Sequence, residues 1–313
     1  MIVIDGTREE NLHYKWRPDL KPIARVGDGE KFKVIIPDAS TMQVRPGMGA
    51  EDLARADSTK FDAAVGPIYV EGAKPGDVLA VDILDMQVGD WGWSAILSFM
   101  GLLKGRFKDL LVHWRIGDGR AQAVGGFLRG IRVPVKPFLG VVGVAPGEGE
   151  FGMIPPQSFG GNMDNRLHGV GARIYLPVSV EGALLSLADP HASQGDGEVS
   201  GTAIETSASV VVRASVVKGL RVGRPFTMAP SRDEPGEVIA TMGISSDLHR
   251  AAVEALEDML AILGKWYGLT PEEGYVLSSV VGNLRISEIV DEPNYVVTLT
   301  MPKSIGEWMG NPR

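Results

Sequence analysis

The sequence predicts a mainly β protein of the α+β class, in which packed β-sheets form a sandwich or barrel-like core and a helical hairpin lies against it. Three observations support this prediction. Short apolar or alternating segments recur through the first 240 residues. The 40 glycines and 20 prolines provide many turns between them. Two helical patterns follow at about 246–282, so strands precede helices along the chain.

The predicted strands follow one another at short spacing. Residues 31–36 alternate and then become continuously apolar. Two strands flank the turn AKPGD within 66–89, and an apolar run interrupted by prolines occupies 132–146. Two more strands, joined by VEGA, are predicted within 171–192, and single strands within 207–219 and 294–303. Short strands separated by glycine- and proline-containing turns indicate a pair of packed sheets, as in a sandwich or a barrel.

Two helices are predicted after these strands. Over about 247–266 the apolar residues recur at intervals of three or four; they are Leu248, Ala252, Leu256, Met259, Leu260 and Leu263. The second helix begins at Thr270, a natural N-cap, with Pro271 at the first helical position and Glu273 completing a capping box. Gly282 can close it.

The remaining segments predict no further domain. A short amphipathic helix is a weaker prediction near 96–104. The segment 225–238 is predicted to be a surface loop that could form a lid. No internal repeat or linker is evident, so residues 1–313 are expected to form one domain.

Composition excludes several classes of protein. The chain has 313 residues, no cysteine and a dispersed net charge of −8. The absence of cysteine excludes disulfides, thiolate metal sites and a cysteine nucleophile. No basic stripe points to nucleic acid, and no window has the roughly 18 apolar residues of a membrane span. The first residues do not resemble a signal peptide, so a cytoplasmic protein is expected.

The segment from Leu187 to Glu205 concentrates side chains that can bind metals. Asp189 and His191 lie two positions apart, so in a strand they would point to the same face and could share an ion. Asp196 and Glu198 repeat this spacing between glycines. The alternative for QGDGE alone is a solvated acidic turn. The small neighbours favour a site, because they leave room for an ion and a small substrate.

A second cluster lies upstream, in GGNMDNR. Gly160 and Gly161 predict a tight turn that presents Asn162 and Asp164. The asparagine amide can donate to an oxyanion, and the aspartate can ligate a metal or act as a base. Taken alone, the commoner interpretation is a turn in which these side chains cap the local backbone.

Together the two clusters resemble the acetamidase/formamidase family. GGNMDNR is followed by ADPHASQGDGEVSGTAIE, and the segments at 11–43, 66–84, 136–146 and 241–260 resemble further blocks of the family in the same order. The resemblance therefore covers nearly the whole chain. It implies hydrolysis of short aliphatic amides such as formamide and acetamide to a carboxylate and ammonia. It also implies a β-rich fold, a bound divalent cation (zinc or calcium) and assembly into a homodimer or larger homo-oligomer. Phe159 stands where many members carry a polar residue, which bears on substrate preference.

The chemistry assigns roles to these residues. The sequence contains no GxSxG elbow, so a metal-activated water is the expected nucleophile. Asp164, Asp189 and His191 are predicted to ligate the ion. Glu198 is predicted to carry the proton, with Asp196 as its substitute and Asn162 holding the substrate. A ligand set that includes the His191 imidazole suits zinc. A set made of oxygen ligands alone, without His191, would suit calcium.

Two alternative functions remain open from the sequence. One is a γ-lactamase or another hydrolase of cyclic amides with the same fold. The other is a non-enzymatic β-sandwich binding protein in which the ion is structural. Activity on linear amides, on bicyclic lactams or on neither would separate the three.

Overall fold

The computed structural model describes residues 1–233 and 235–308. In chain order the strands are β1 (Ile2–Asp5), β2 (Leu12–His13), β3 (Ala24–Val26), β4 (Lys31–Ile36), β5 (Ala64–Val70), β6 (Val78–Val88), β7 (Trp91–Ile96), β8 (Leu110–Gly117), β9 (Arg120–Ala123), β10 (Arg132–Pro134), β11 (Phe138–Gly143), β12 (Gly160–Asn162), β13 (Arg173–Pro177), β14 (Leu185–His191), β15 (Ala208–Val217), β16 (Phe226–Pro230), β17 (Glu237–Ser245), β18 (Asn283–Glu288) and β19 (Tyr295–Pro302). The α-helices are α1 (Ala50–Leu53), α2 (Leu248–Tyr267), α3 (Pro271–Val281) and α4 (Ile305–Trp308). Short 3-10 turns occupy Glu9–Asn11, Ser58–Lys60 and Val124–Gly130.

The strands form three sheets. A nine-stranded sheet has the order β1-β4-β15-β6-β13-β16-β17-β19-β18. A six-stranded sheet contains β12-β11-β14-β5-β2, with β3 added beside β5, and a four-stranded sheet has the order β10-β9-β8-β7. Pairing is antiparallel except for β1 with β4 and β3 with β5. The prediction of packed sheets is therefore confirmed.

The main core lies between the nine-stranded and the six-stranded sheets. Phe32 and Val212 from the first sheet belong to one buried cluster with Ile68 and Leu139 from the second. All four side chains are fully buried, and burying each contributes about 1.5–3 kcal/mol. Strand β14 lies inside the six-stranded sheet, between β11 and β5, and every residue along it is buried.

The predicted helical hairpin is present as α2 and α3. Thr270 Oγ1 accepts from the Glu273 backbone N–H at 3.2 Å, and the Glu273 carboxylate accepts from the Thr270 N–H at 2.8 Å, which confirms the capping box. The helix α2 packs on β17 and β19 through Ala251 and Ala255 as well as Met259 and Leu263. Of the predicted apolar face, Met259 and Leu263 are buried, whereas Leu248, Ala252, Leu256 and Leu260 are only half-buried, so the buried stripe is rotated toward Ala251 and Ala255.

Two local predictions are wrong. No helix forms at 96–104: β7 runs to Ile96, and turns follow with positive φ at Gly101 and Gly105, which interrupt any helix. The segment 225–238 is not one loose loop, because 226–230 and 237–238 belong to the hairpin of β16 and β17 and pair across it. In the described part of the chain, no helix is both long enough and apolar enough to cross a membrane.

Candidate functional site

The end of β14 brings a histidine and a carboxylate to one buried point. Asp189 and His191 are two positions apart, and Asp189 has φ of +54°. His191 Nε2 lies 2.9 Å from Asp189 Oδ2 and 2.9 Å from Glu205 Oε2. Asp189 and His191 therefore point to the same face, as expected. Glu205 lies beside them because its backbone forms isolated antiparallel β-bridges with His191 and with Trp93.

The Asn162–Asp164 corner meets this point from β12. Gly160 and Gly161 have φ of +94° and +92°, and Asp164 follows with φ of +42°. The Asp164 backbone N–H donates to the carbonyl of Gly140 on β11 at 3.2 Å. Asp164 Oδ1 consequently lies 3.8 Å from His191 Nδ1, so the predicted convergence of the two sequence clusters is confirmed.

Gly140 provides the space in which the carboxylates meet. A Cβ atom on this residue would lie 2.3 Å from Asp189 Oδ2 and 2.4 Å from Asp164 Oδ1. Real Cβ atoms essentially never approach so closely. Any side chain at this position of β11 would therefore displace both carboxylates.

Gln194 fixes the orientation of the imidazole. Its Oε1 lies 2.9 Å from His191 Nδ1, and its Nε2 donates to the backbone carbonyl of Asp164 at 2.8 Å. Because the amide nitrogen is used as a donor, the amide oxygen accepts from Nδ1–H. In the neutral imidazole the lone pair is therefore on Nε2, which faces Asp189 and Glu205.

Further carboxylates surround the same cavity. Its wall includes Asp62, Glu198 and Asp291 together with Asp164, Asp189, His191 and Glu205, and the cavity measures about 50 Å³. Asn162 also lines it and donates from Nδ2 to Asp291 Oδ2 at 2.9 Å. Among the described residues on this wall there is no lysine or arginine. The cavity is therefore strongly acidic, with His191 as its basic side chain.

Burial and mutual repulsion disturb the protonation of these groups. Burial, together with neighbouring negative charge, raises the pKa of Asp164 and of Asp189 to about 6. The same causes raise the pKa of Glu198 well above its ordinary value. Burial by itself would lower the pKa of His191, but the negative charges of Asp189 and Glu205 raise it well above the usual range. The protein alone cannot keep all these carboxylates charged, so it must take up protons or a cation.

The side chains fit a bound divalent cation. Asp164 Oδ1, Asp189 Oδ1 and Asn162 Oδ1 are buried without a hydrogen-bond partner. Glu205 Oε2 also lacks one when the imidazole is neutral, because Nε2, 2.9 Å away, then carries a lone pair and no proton. Two groups have their ligand atoms within 4.8 Å of one another: Asp164, His191 and Glu198; and Asp189, His191 and Glu205. Imidazole with carboxylates is a ligand set typical of zinc, and it is compatible with other divalent ions.

Asp196 lies apart from the other predicted site residues. Its carboxylate is 2.8 Å from Arg166 Nε and 3.2 Å from Arg285 Nη1, and it does not line the acidic cavity. The expectation that Asp196 and Glu198 share one face is wrong, because Gly197 and Glu198 have φ of +91° and +45° and the chain turns between them. Asp196 instead anchors the loop that carries Glu198.

Sequence reasoning missed Asp62, Asp291 and Gln194. Asp62 precedes β5 and Asp291 follows β18, and neither lies in a motif that distinguishes it from an ordinary turn residue. Tertiary packing brings both to the cavity. Gln194 lies within the acidic run, and its spacing of three residues from His191 was a signal that could have been used.

Known proteins of one family match this chain along almost its whole length. The model of the acetamidase/formamidase family matches residues 5–151 and 147–307. A formamidase of Methylophilus methylotrophus is 28% identical and covers 96% of this chain and 91% of its own length. An acetamidase of Mycolicibacterium smegmatis is 28% identical over 85% of this chain and 84% of its own.

A solved structure shows the same fold. It is described as a predicted acetamidase/formamidase from Thermoanaerobacter tengcongensis, and it superimposes with a TM-score of 0.88 at 34% identity. The match covers 99% of this chain and 98% of that one. The family model and this structure agree over nearly every described residue, and the chain belongs to the acetamidase/formamidase family.

Proposed function

We propose that the protein is a metal-dependent amidase that hydrolyses the carboxamide of small primary amides to a carboxylate and ammonia. The observation that carries the proposal is the buried acidic cavity, in which one imidazole meets several carboxylates without a lysine or arginine on the described wall. The relatives named formamidase and acetamidase support the same reaction class.

The proposed ligands are His191 through Nε2, Asp189, Glu205 and Asp164. When bound, a divalent ion would lower the pKa of water and polarise the amide carbonyl. Gln194 keeps the lone pair of His191 directed toward the ion site. The imidazole favours zinc over calcium in this proposal, since calcium prefers oxygen ligands alone.

Glu198 is the proposed proton carrier. It lines the cavity, and its carboxylate has no hydrogen bond among those described that would hold it away. It accepts a proton from the attacking water and delivers it to the amide nitrogen as the C–N bond breaks, so that one water and one amide give a carboxylic acid and ammonia, which leave as carboxylate and ammonium after the acid proton is transferred. Asn162, whose Nδ2 donates to Asp291, is the residue that we propose orients the substrate amide.

The test combines metal analysis with an assay of ammonia release. The purified protein is expected to contain one equivalent of a divalent ion and to release ammonia from formamide or acetamide. Removal of the ion with a chelator should abolish this activity, and adding zinc should restore it. Glu198→Gln should lower kcat by about 100-fold or more, the range for loss of a proton-transfer group. The exposed Glu148→Gln is the matched control. Full activity in metal-free protein would refute the proposal.

The same assay separates the alternatives. Hydrolysis of a bicyclic lactam without any hydrolysis of linear amides would favour the cyclic-amide reaction. Stoichiometric metal without activity on either class would favour a binding protein. Homo-oligomer formation, a cytoplasmic location and the single domain over 1–313 remain predictions.

A further inference from the structure

An apolar groove of about 590 Å³ lies beside the acidic cavity. Its walls come from β7, β8, β10, the turn Val124–Gly130 and the segment 193–204, and the apolar side chains on them include Ile96, Val112, Trp114, Leu128, Val133 and Ile204. The indole Nε1 of Trp114 donates to Ser94 Oγ at 2.9 Å, so its polar atom is already satisfied. The volume is in the range of small-molecule sites.

The groove adjoins the acidic cavity. Glu198 and Thr202 lie on the walls of both. Gln194, which holds His191, also lines the groove. An acyl substituent that passes Glu198 from a carboxamide in the cavity would enter the groove. The cavity itself has space for only a few water-sized groups, so a longer substituent must extend beyond it, and the groove is an apolar space that adjoins it.

The lining of the groove suits an uncharged, apolar occupant. The charged residues on its described wall are Asp196, which is paired with Arg166 and Arg285, and Glu198, so this wall offers no cation to an anionic tail. At its rim the neighbouring side chains of Phe127 and Leu128 are 43% and 41% exposed. Large apolar residues exposed around a cavity are typical of ligand grooves.

We propose that this groove is an acyl-binding channel, and that the preferred substrates are primary carboxamides whose acyl group is an apolar chain or ring of several carbons. The inference rests on the proposed amide hydrolysis and adds a substrate class to it. It predicts selectivity for amides longer than formamide and acetamide, because each methylene that enters the groove leaves water.

The test is a series of straight-chain amides from formamide to hexanamide, assayed by ammonia release with the metal-loaded protein. We expect kcat/KM to rise about threefold for each methylene beyond acetamide. Leu128→Asp should lower the ratio of kcat/KM for hexanamide to that for formamide by about tenfold, since it places a charge at the apolar rim. The matched control is Leu103→Asp, which changes an equally exposed leucine that does not line the groove and should leave the ratio unchanged.

The outcomes separate this inference from the proposed function. If formamide and acetamide are hydrolysed but kcat/KM falls steadily with chain length, the acyl channel is refuted while the amidase function stands. If no amide in the series is hydrolysed, the proposed function itself fails. If Leu128→Asp alters the oligomeric mass without changing the chain-length ratio, the groove is an interface between copies, and the inference is also refuted.

Discussion

Replacing Gly140 with alanine tests whether the carboxylates must converge beside β11. The added Cβ would lie 2.3 Å from Asp189 Oδ2 and 2.4 Å from Asp164 Oδ1, so each carboxylate would have to move by about 1 Å to reach an ordinary carbon–oxygen contact. Displacement of catalytic groups by this amount can cost about 100-fold in rate. Overpacking of this kind also destabilises a fold by about 1–3 kcal/mol.

The Gly140→Ala variant is therefore expected to lose most of its bound metal and at least 100-fold in kcat/KM, while remaining folded. Metal content by mass spectrometry, ammonia release from acetamide and thermal unfolding measure the three quantities. Gly117→Ala is the matched control, because Gly117 is also in a strand and a Cβ there would meet nothing within 4 Å. A Gly140→Ala protein with full metal and with kcat/KM within threefold of the unaltered protein would refute the reasoning.

Two further predictions concern the histidines. Replacing Gln194 with alanine removes the acceptor for His191 Nδ1–H and should weaken metal affinity about 10- to 100-fold in a chelator competition, with unchanged affinity as the contrary result. Burial lowers the pKa of His168 to about 3, so the unfolded chain binds a proton there below about pH 6.5 while the folded chain does not. Between pH 6.5 and 4, the stability of the unaltered protein relative to His168→Gln should fall by about 1.4 kcal/mol per pH unit in urea unfolding; a pH-independent difference would contradict this. Comparison with the variant isolates His168 from the buried acids, whose raised pKa values act in the opposite direction.

Local patterns account for the parts of the fold that the sequence predicts well. The capping residues Thr270 and Glu273 interact within one helical turn, so their spacing is sufficient to define the start of α3. The alternation at 31–36 similarly reports burial on one face of β4. The sequence does not show which sheet a strand joins: β13 and β14 follow one another but belong to different sheets, because their partners are distant in the chain.

The candidate site likewise contains residues that local motifs predict and residues that only tertiary packing brings to it. Asp164, Asp189 and His191 lie in short motifs whose residue types indicate metal binding, and the structure brings them together. Asp62 and Asp291 carry no such signal, since only the packing of distant strands places them at the cavity. The outward direction of Asp196 depends on left-handed backbone at Gly197, which a pattern based on extended chain could not anticipate.

The most direct test of the central claim is anomalous diffraction from crystals of the metal-loaded protein, recorded on both sides of the zinc absorption edge. The account predicts a peak within coordination distance of His191 Nε2, Asp189 and Glu205. A fully occupied ion held elsewhere, with His191 Nε2 bonded only to its two carboxylate neighbours, would contradict it.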